Sequence, residues 1–337
     1  MSQSTLLSVH PRLAVEGGRI SLHGSGFRVE QSSLPKVSID GRAARVVFAS
    51  PARLDVLVPP VATDRPAAVH VDGSDGTLAI DVGTVAASGL HQVDSPAIDR
   101  HGNLFVTYSG TRGQQVPVSI FRVDLEGARD TCSSSIVNPT SMAFDGDGRL
   151  FVSSRFEGNV YRLAPDGTAE RFATNLGIAC GLAFASDGTL FVGDRSGTIF
   201  AVDRSGRATS FATLPSSVAA FHLACEGDAL FVTAPTLSPN DAVFRIGLDG
   251  RASVVTRLFG RPQGLAIGPM GDLYVVEALA GASGLYRVDR QTGARDLVVA
   301  AADLIGVAFD RFGGLVVCSN DTAYRMSSRW RESDVAG

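Results

Sequence analysis

From about residue 84 onward, apolar and polar positions alternate in one recurring pattern. A small residue opens a short apolar run, a glycine-containing turn follows, and a second apolar run ends on a polar residue. Ser95 opens the first copy (95–99, then 103–106) and Ser141 the second (141–145, then 149–152). Gly181 opens the third (181–184, 189–192), and His222 the fourth (222–224, 229–232). Gly264 opens the fifth (264–267, 272–275), and Gly306 the sixth (306–309, 314–317). The starts lie 40 to 46 residues apart, the length of a four-stranded propeller blade. A third run is legible in every copy, at 120–123, 160–163, 199–202, 243–246, 285–288 and 323–326. A fourth follows in most of them, as at 209–212 and 253–256. The sixth copy lacks this last run, while a matching segment, 83–87, stands before the first. The pattern predicts an all-β chain whose residues 83–328 form a six-bladed β-propeller, with an N-terminal strand completing the last blade. Closure of that kind removes the sheet edges an open array would expose.

Residues 1–82 carry no copy of the repeat. Short apolar runs bounded by turn signals predict a small β-sandwich there. The landmarks are Gly17-Gly18, Gly24-Ser25-Gly26-Phe27, Asp40-Gly41 and Val58-Pro59, with strands around 19–22, 36–39, 45–48, 53–57 and 68–71. This order resembles the IPT/TIG group of immunoglobulin-like domains, which implies a spacer or interaction module and leaves room for a protein partner. His23 and His70 read as strand residues with structural roles. Residues 329–337 read as a C-terminal tail.

The repeat itself, Gly-Leu-Ala-Phe followed by Gly-x-Leu-Phe-Val, resembles the NHL and gluconolactonase (regucalcin-like) group of six-bladed propellers. Loop lengths point to the working face. Turns between first and second runs are short, whereas three loops between second and third runs are long: 108–116, 234–241 and 277–284. Longer loops are where sites are usually built. On that face, the residue before each innermost strand points toward the central channel: Asp94, Thr140, Cys180, Phe221, Gln263 and Ile305.

The lactonase resemblance implies a calcium-like divalent cation held by a Glu, Asn residues and an Asp at these positions, polarising a lactone carbonyl and activating water. Only Asp94 preserves a carboxylate. Thr140 and Gln263 offer neutral oxygens, Cys180 is a poor ligand for a hard cation, and Asn138 lies two residues from the matching position. A metal-free arrangement would use His222, an imidazole where most copies have Gly or Ser, as acid or base. Tyr108, Arg155, Asp194, Arg195 and Glu277 follow second strands and are candidates for the same mouth. Cys180 near His222 would suggest a thiolate nucleophile. Plainer readings stand beside these: His222 as a hydrogen-bonded wall residue, Cys180 as a small buried hydrophobe, and Asp194–Arg195 as a surface pair.

Composition narrows the field. The 337 residues are 45% hydrophobic and 19% charged with net charge −4, which suits a globular chain and gives no nucleic-acid or anionic-membrane signature. Lys36 is the single lysine. No signal peptide or membrane-length apolar run is visible, so cytoplasm is the default location. The four cysteines match no zinc spacing and read as reduced thiols. The segment Asp145-Gly146-Asp147-Gly148 lacks the downstream acidic ligand of an EF-hand and falls at a repeat turn. Gly24-Ser25-Gly26 is followed by no helix that could present amides to a phosphate. Two function classes remain. One is a lactone- or ester-type hydrolase with Asp94 and His222 as catalytic groups, and Thr140, Cys180, Phe221, Gln263, Arg155, Arg195, Glu277 and Tyr108 around its substrate. The other is a non-catalytic propeller that binds a small ligand, glycan or protein. RNA ranks third, because the arginines alternate with acidic residues.

Overall fold

The computed structural model describes residues 4–29, 34–63, 65–327 and 330. Every named element is a β-strand. The repeat region forms a propeller arrangement with five separate four-stranded antiparallel sheets. In the sheet of Pro139–Phe144, Leu150–Ser154, Asn159–Leu163 and Ala169–Ala173, strand order follows chain order. The sheets beginning at Ala97–Ile98, Ala179–Phe184 and His222–Glu226 repeat that meander. In the sheet of Leu304–Phe309, Leu315–Ser319 and Ala323–Arg325, the outer place is taken by Thr84–Ala87, antiparallel to Ala323–Arg325. The two ends of the repeat region therefore share one sheet. The tail 329–337 lies outside the described residues apart from Trp330, which is buried against Phe309 and Tyr274.

A further meander, Pro262–Ile267, Leu273–Glu277, Gly284–Val288 and Arg295–Ala300, does not stand alone. It is one end of a thirteen-stranded ladder that continues through Leu13–Ala14 into the N-terminal strands. Leu13–Ala14 pairs parallel with Arg295–Ala300 on one side and with Leu78–Val82 on the other. Leu13 and Val15 are buried with Val298, Val299 and Leu304, which explains why this short segment docks there. The sequence pattern predicts a small β-sandwich over 1–82; in the structure a backbone ladder joins these strands to the repeat region.

Second strands such as Leu150–Ser154 and Leu190–Asp194 are buried along their whole length. Both faces of such a strand meet a neighbouring sheet, so the sequence there reads as a continuous apolar run. The repeated aromatics join sheet to sheet. Phe105 packs on Phe144 at 5.3 Å, Phe151 on Phe184 at 5.0 Å and Tyr274 on Phe309 at 5.0 Å between ring centroids. In each case an aromatic of one second strand meets the aromatic ending the next inner strand, a contact worth about 0.5–1.5 kcal/mol beyond its buried area. The turn at 145–148 is held by Asp145 Oδ1, which accepts from the amides of Asp147 (3.0 Å) and Arg149 (2.9 Å). Its acidic character is turn chemistry.

Successive inner strands pack side by side around the axis, with Leu304–Phe309 against both Pro262–Ile267 and Ala97–Ile98. The approach is close. A Cβ on Gly264 would lie 2.7 Å from the Cα of Gly306, and one on Gly306 would lie 2.5 Å from the Cα of Ser95. This crowding is the physical reason five of the six repeats open on glycine or serine. Where that residue is serine, its oxygen accepts a neighbouring amide: Ser95 Oγ from Val307 N (3.2 Å) and Ser141 Oγ from Leu182 N (3.1 Å).

In the N-terminal strands a carboxylate is built into the sheet. Asp55 is fully buried and accepts from Ser21 Oγ (2.8 Å), Arg53 Nε (2.7 Å) and Arg19 Nε (3.1 Å). Burial pushes its pKa up, but the hydrogen bonds from Arg53, Arg19 and Ser21 outweigh that and leave it below the ordinary value. A lowered native pKa means that the stabilisation is complete above about pH 4, the unfolded value, and is lost as pH falls through the native one. Asp55→Asn should therefore lower stability by about 1–3 kcal/mol at pH 7. Thermal unfolding at a series of pH values checks this. The wild-type advantage should shrink as pH falls below about 4, the unfolded value, and an advantage independent of pH would contradict the assignment.

Candidate functional site at the channel mouth

The row of small residues at the axis has one large member, His222, which opens the strand His222–Glu226. Its imidazole crosses the channel, placing Nδ1 2.5 Å from Asp94 Oδ1. Both residues are buried, at 1% and 4% exposure. Asp94 Oδ1 also accepts the amide of Ser95 at 2.6 Å. With a carboxylate on one side, Nδ1 is the donor, and the proton it carries fixes the ring orientation. The other ring nitrogen, Nε2, faces Gln263 Oε1 at 3.2 Å. Thr233 Oγ1 donates to the carbonyl of Gln263 at 2.5 Å and so anchors that residue's backbone.

Gln263 links this buried pair to a cavity of about 520 Å³ at the mouth of the channel. Thr140, Cys180, Arg155 and Arg195 line the same cavity, as do Ile305 and the unforeseen Gln92, Arg261, Asp303 and Asn320. Arg155 donates to Ser109 Oγ (3.3 Å), and Arg195 donates through Nε to the carbonyl of Ser217 (3.2 Å). Burial, reinforced by the charge of Arg195, lowers the pKa of Arg155. Burial also lowers that of His91, with Arg155 adding to the effect.

Five sequence-based assignments need correction. Glu277 is fully buried; it accepts from the amides of Gly260 (2.7 Å), Arg261 (2.8 Å) and Leu279 (2.9 Å), so its carboxylate organises the loop rather than meeting a ligand. Asp194 has the same role in its own sheet, accepting from Ile178 N at 2.8 Å. Phe221 is fully buried in the core beneath Gly193 rather than facing the channel. Tyr108 packs edge-on against His91, 6.1 Å between ring centroids, and does not line the cavity. Asn138, considered as a substitute ligand, adopts a positive φ of 48° and braces the long loop instead, donating to Thr111 O (2.8 Å) and accepting from Gly113 N (2.6 Å).

Cys180 is not set up as a nucleophile. Its thiol donates to the carbonyl of Ile178 at 3.3 Å. Burial pushes its pKa up to about 12, which leaves it protonated at neutral pH. The divalent cation implied by the lactonase resemblance does not fit this donor set either. Asp94 is engaged with His222 and the Ser95 amide, and its companions along the channel are a hydroxyl, a buried thiol and a carboxamide. Among the described residues, no three His, Cys, Asp or Glu side chains group as metal ligands.

No protein-family model and no curated protein matches the sequence. Solved structures match its fold. A putative gluconolactonase aligns with a TM-score of 0.59 at 14% identity, over 73% of this chain and 91% of that one. Virginiamycin B lyase from Staphylococcus aureus aligns with a TM-score of 0.54 at 13% identity, over 72% and 97%. An auxiliary nutrient binding protein from Bacteroides ovatus aligns with a TM-score of 0.55 at 16% identity, over 96% and 98%, so its match includes the N-terminal strands. At such identities the likeness is one of fold, a propeller arrangement shared by enzymes and binding proteins alike.

The state of Cys180 can be tested directly. With a thiol pKa of about 12, iodoacetamide should label Cys180 in the folded protein at pH 8.5 at least about a hundredfold more slowly than a free cysteine. Peptide mapping by mass spectrometry reads this out, and rapid labelling at that pH would restore the nucleophile reading.

Proposed function

We propose that this chain is a small-molecule hydrolase of lactone or ester type. In this reading the propeller has six blades, the meander from Pro262 to Ala300 being the fifth, and residues 1–82 form an attached IPT/TIG-like module. One observation carries the proposal: the buried contact of Asp94 Oδ1 with His222 Nδ1 directly behind a ligand-sized cavity. Asp94 accepts from Nδ1 and so favours the tautomer in which Nε2 offers a lone pair once the Gln263 oxygen no longer faces it, the form a general base requires. Gln263 stands between Nε2 and the cavity, so turnover requires its carboxamide to turn aside and admit a water. Nε2 then takes a proton from the water as its oxygen adds to the carbonyl carbon, and returns it to the departing alkoxide. Arg155 and Arg195 supply positive charge for the oxyanion.

A second reading is favoured by a different observation. His222 is only 1% exposed and its Nε2 is covered, an arrangement suited equally to a rigid wall beneath a binding pocket. A non-catalytic binding propeller is the function that follows.

A panel of lactones and esters separates the two. For the hydrolase, at least one member is turned over, and His222→Ala and Asp94→Asn each reduce kcat by about 100-fold or more, the usual worth of a general base, with unfolding temperatures retained. Absence of turnover across the panel leaves the binding reading, and turnover undiminished in both variants places the activity away from Asp94 and His222.

A further inference from the structure

The cavity carries more positive charge than its one lining carboxylate balances. Arg155, Arg195 and Arg261 line it together, against a single carboxylate, that of Asp303. Several arginines elsewhere in the chain are neutralised: Arg19 and Arg53 by Asp55, Arg149 by Asp145 and Asp147, Arg162 by Glu170, and Arg290 by Glu226. At the cavity, Arg155 and Arg195 reach only neutral oxygens, Ser109 Oγ and Ser217 O. None of the three forms an ion pair with a described residue. Like charges gathered in a concavity without counter-charges repel one another, and the field they make attracts an anion.

A second observation points the same way. Gln92 also lines the cavity, is 1% exposed, and beyond the neighbouring thiol of Cys318 finds no hydrogen-bond partner for its amide nitrogen and oxygen. A buried carboxamide left open costs about 1–3 kcal/mol. The group that would relieve it is one that both donates and accepts, such as a hydroxyl.

We propose that the cavity selects small hydroxylated anions, with Arg155, Arg195 and Arg261 binding a carboxylate or phosphate group and Gln92 meeting a hydroxyl. Guanidinium groups suit both anions, because their paired N–H donors match two oxygens at once. The proposal deepens the reading of this cavity as a small-molecule site and rests on it, but not on any reaction at His222. In the hydrolase reading, the favoured substrate carries an acid group in addition to the ester it loses.

Calorimetric titration of the full chain at low ionic strength tests this. Gluconate represents the carboxylate source, glycerol 3-phosphate the phosphate source, and sorbitol the uncharged control. At least one anion should bind about tenfold more tightly than sorbitol or better. Arg155→Gln and Arg195→Gln should each weaken that anion about tenfold, the usual worth of one charge-assisted contact, while leaving sorbitol unaffected. Arg195 and Arg261 are exposed, so Arg195→Gln and Arg261→Gln remain informative should Arg155→Gln fail to fold. Equal affinity for anions and sorbitol, or anion affinity unchanged in the folded variants, would overturn the proposal. Because neither anion is hydrolysable here, tight binding without esterase activity supports this inference and counts against the hydrolase alone. Hydrolysis of a neutral lactone without anion preference does the reverse.

Discussion

The closeness of the inner strands at the propeller axis governs the rest of the structure. Backbone approaches such as that of Gly306 to Ser95 leave little room for a side chain, so the first residue of every repeat but the fourth is small, and serines there are drawn into hydrogen bonds with the adjoining strand. The aromatic contacts between sheets, Phe105 with Phe144 and Phe151 with Phe184, sit farther along the same strands and add to the packing. Against that background, an imidazole in the small-residue row is an exception that needs compensation. His222 finds it by reaching across the channel to Asp94, in the connection that leads into Ala97–Ile98.

Such a pair is not a cheap way to stabilise a fold. Removing a carboxylate and an imidazole from water costs several kcal/mol, and their attraction repays it only when further hydrogen bonds complete the arrangement. Here the Ser95 amide serves Asp94 and Gln263 faces the far side of the ring, so the group is largely satisfied by its own neighbours. A glycine at 222 would avoid the cost altogether, as it does at 181, 264 and 306. The retention of a hydrogen-bonded acid–imidazole pair behind a cavity, where the rest of the row is minimal, is the physical argument for a site at the axis.

Much of this architecture was legible in the sequence, because each copy must solve the same packing problem with the same residue types. The positions of Asp94, Thr140, Cys180 and Gln263 followed from strand starts alone, and the joining of Thr84–Ala87 to the last sheet followed from the missing run. The failures have a common cause. Glu277 and Asp194 end second strands, a place that looks like the rim of a mouth, yet their carboxylates turn back onto the amides of the preceding connection. Phe221 sits where the register predicts a channel residue, but its ring enters the core against Gly193 instead. Gln92, Arg261, Asp303 and Asn320 lie outside the apolar runs, where no repeated pattern marks which side chains converge. Leu13–Ala14 is a two-residue strand and too short to have a period.

That short strand changes how the cavity wall is supported. It pairs with Arg295–Ala300, and the amide of Val15 donates to Ala300 O at 3.0 Å. Two residues later comes Gly17, where an added Cβ would lie 3.5 Å from the Cβ of Ala302. Ala302 immediately precedes Asp303, whose own φ is 50° and which lines the channel-mouth cavity. The N-terminal strands thus buttress the segment that carries the cavity's single carboxylate. A positive φ outside glycine is tolerated where the surrounding structure fixes the backbone, and that bracing is supplied here by residues distant in sequence. The charge balance of the cavity, three guanidiniums against one carboxylate, therefore depends on the N-terminal strands as well as on the propeller. Separating the two would release the backbone that positions Asp303 while leaving the Asp94–His222 contact, which belongs wholly to the repeat region, without a lost partner.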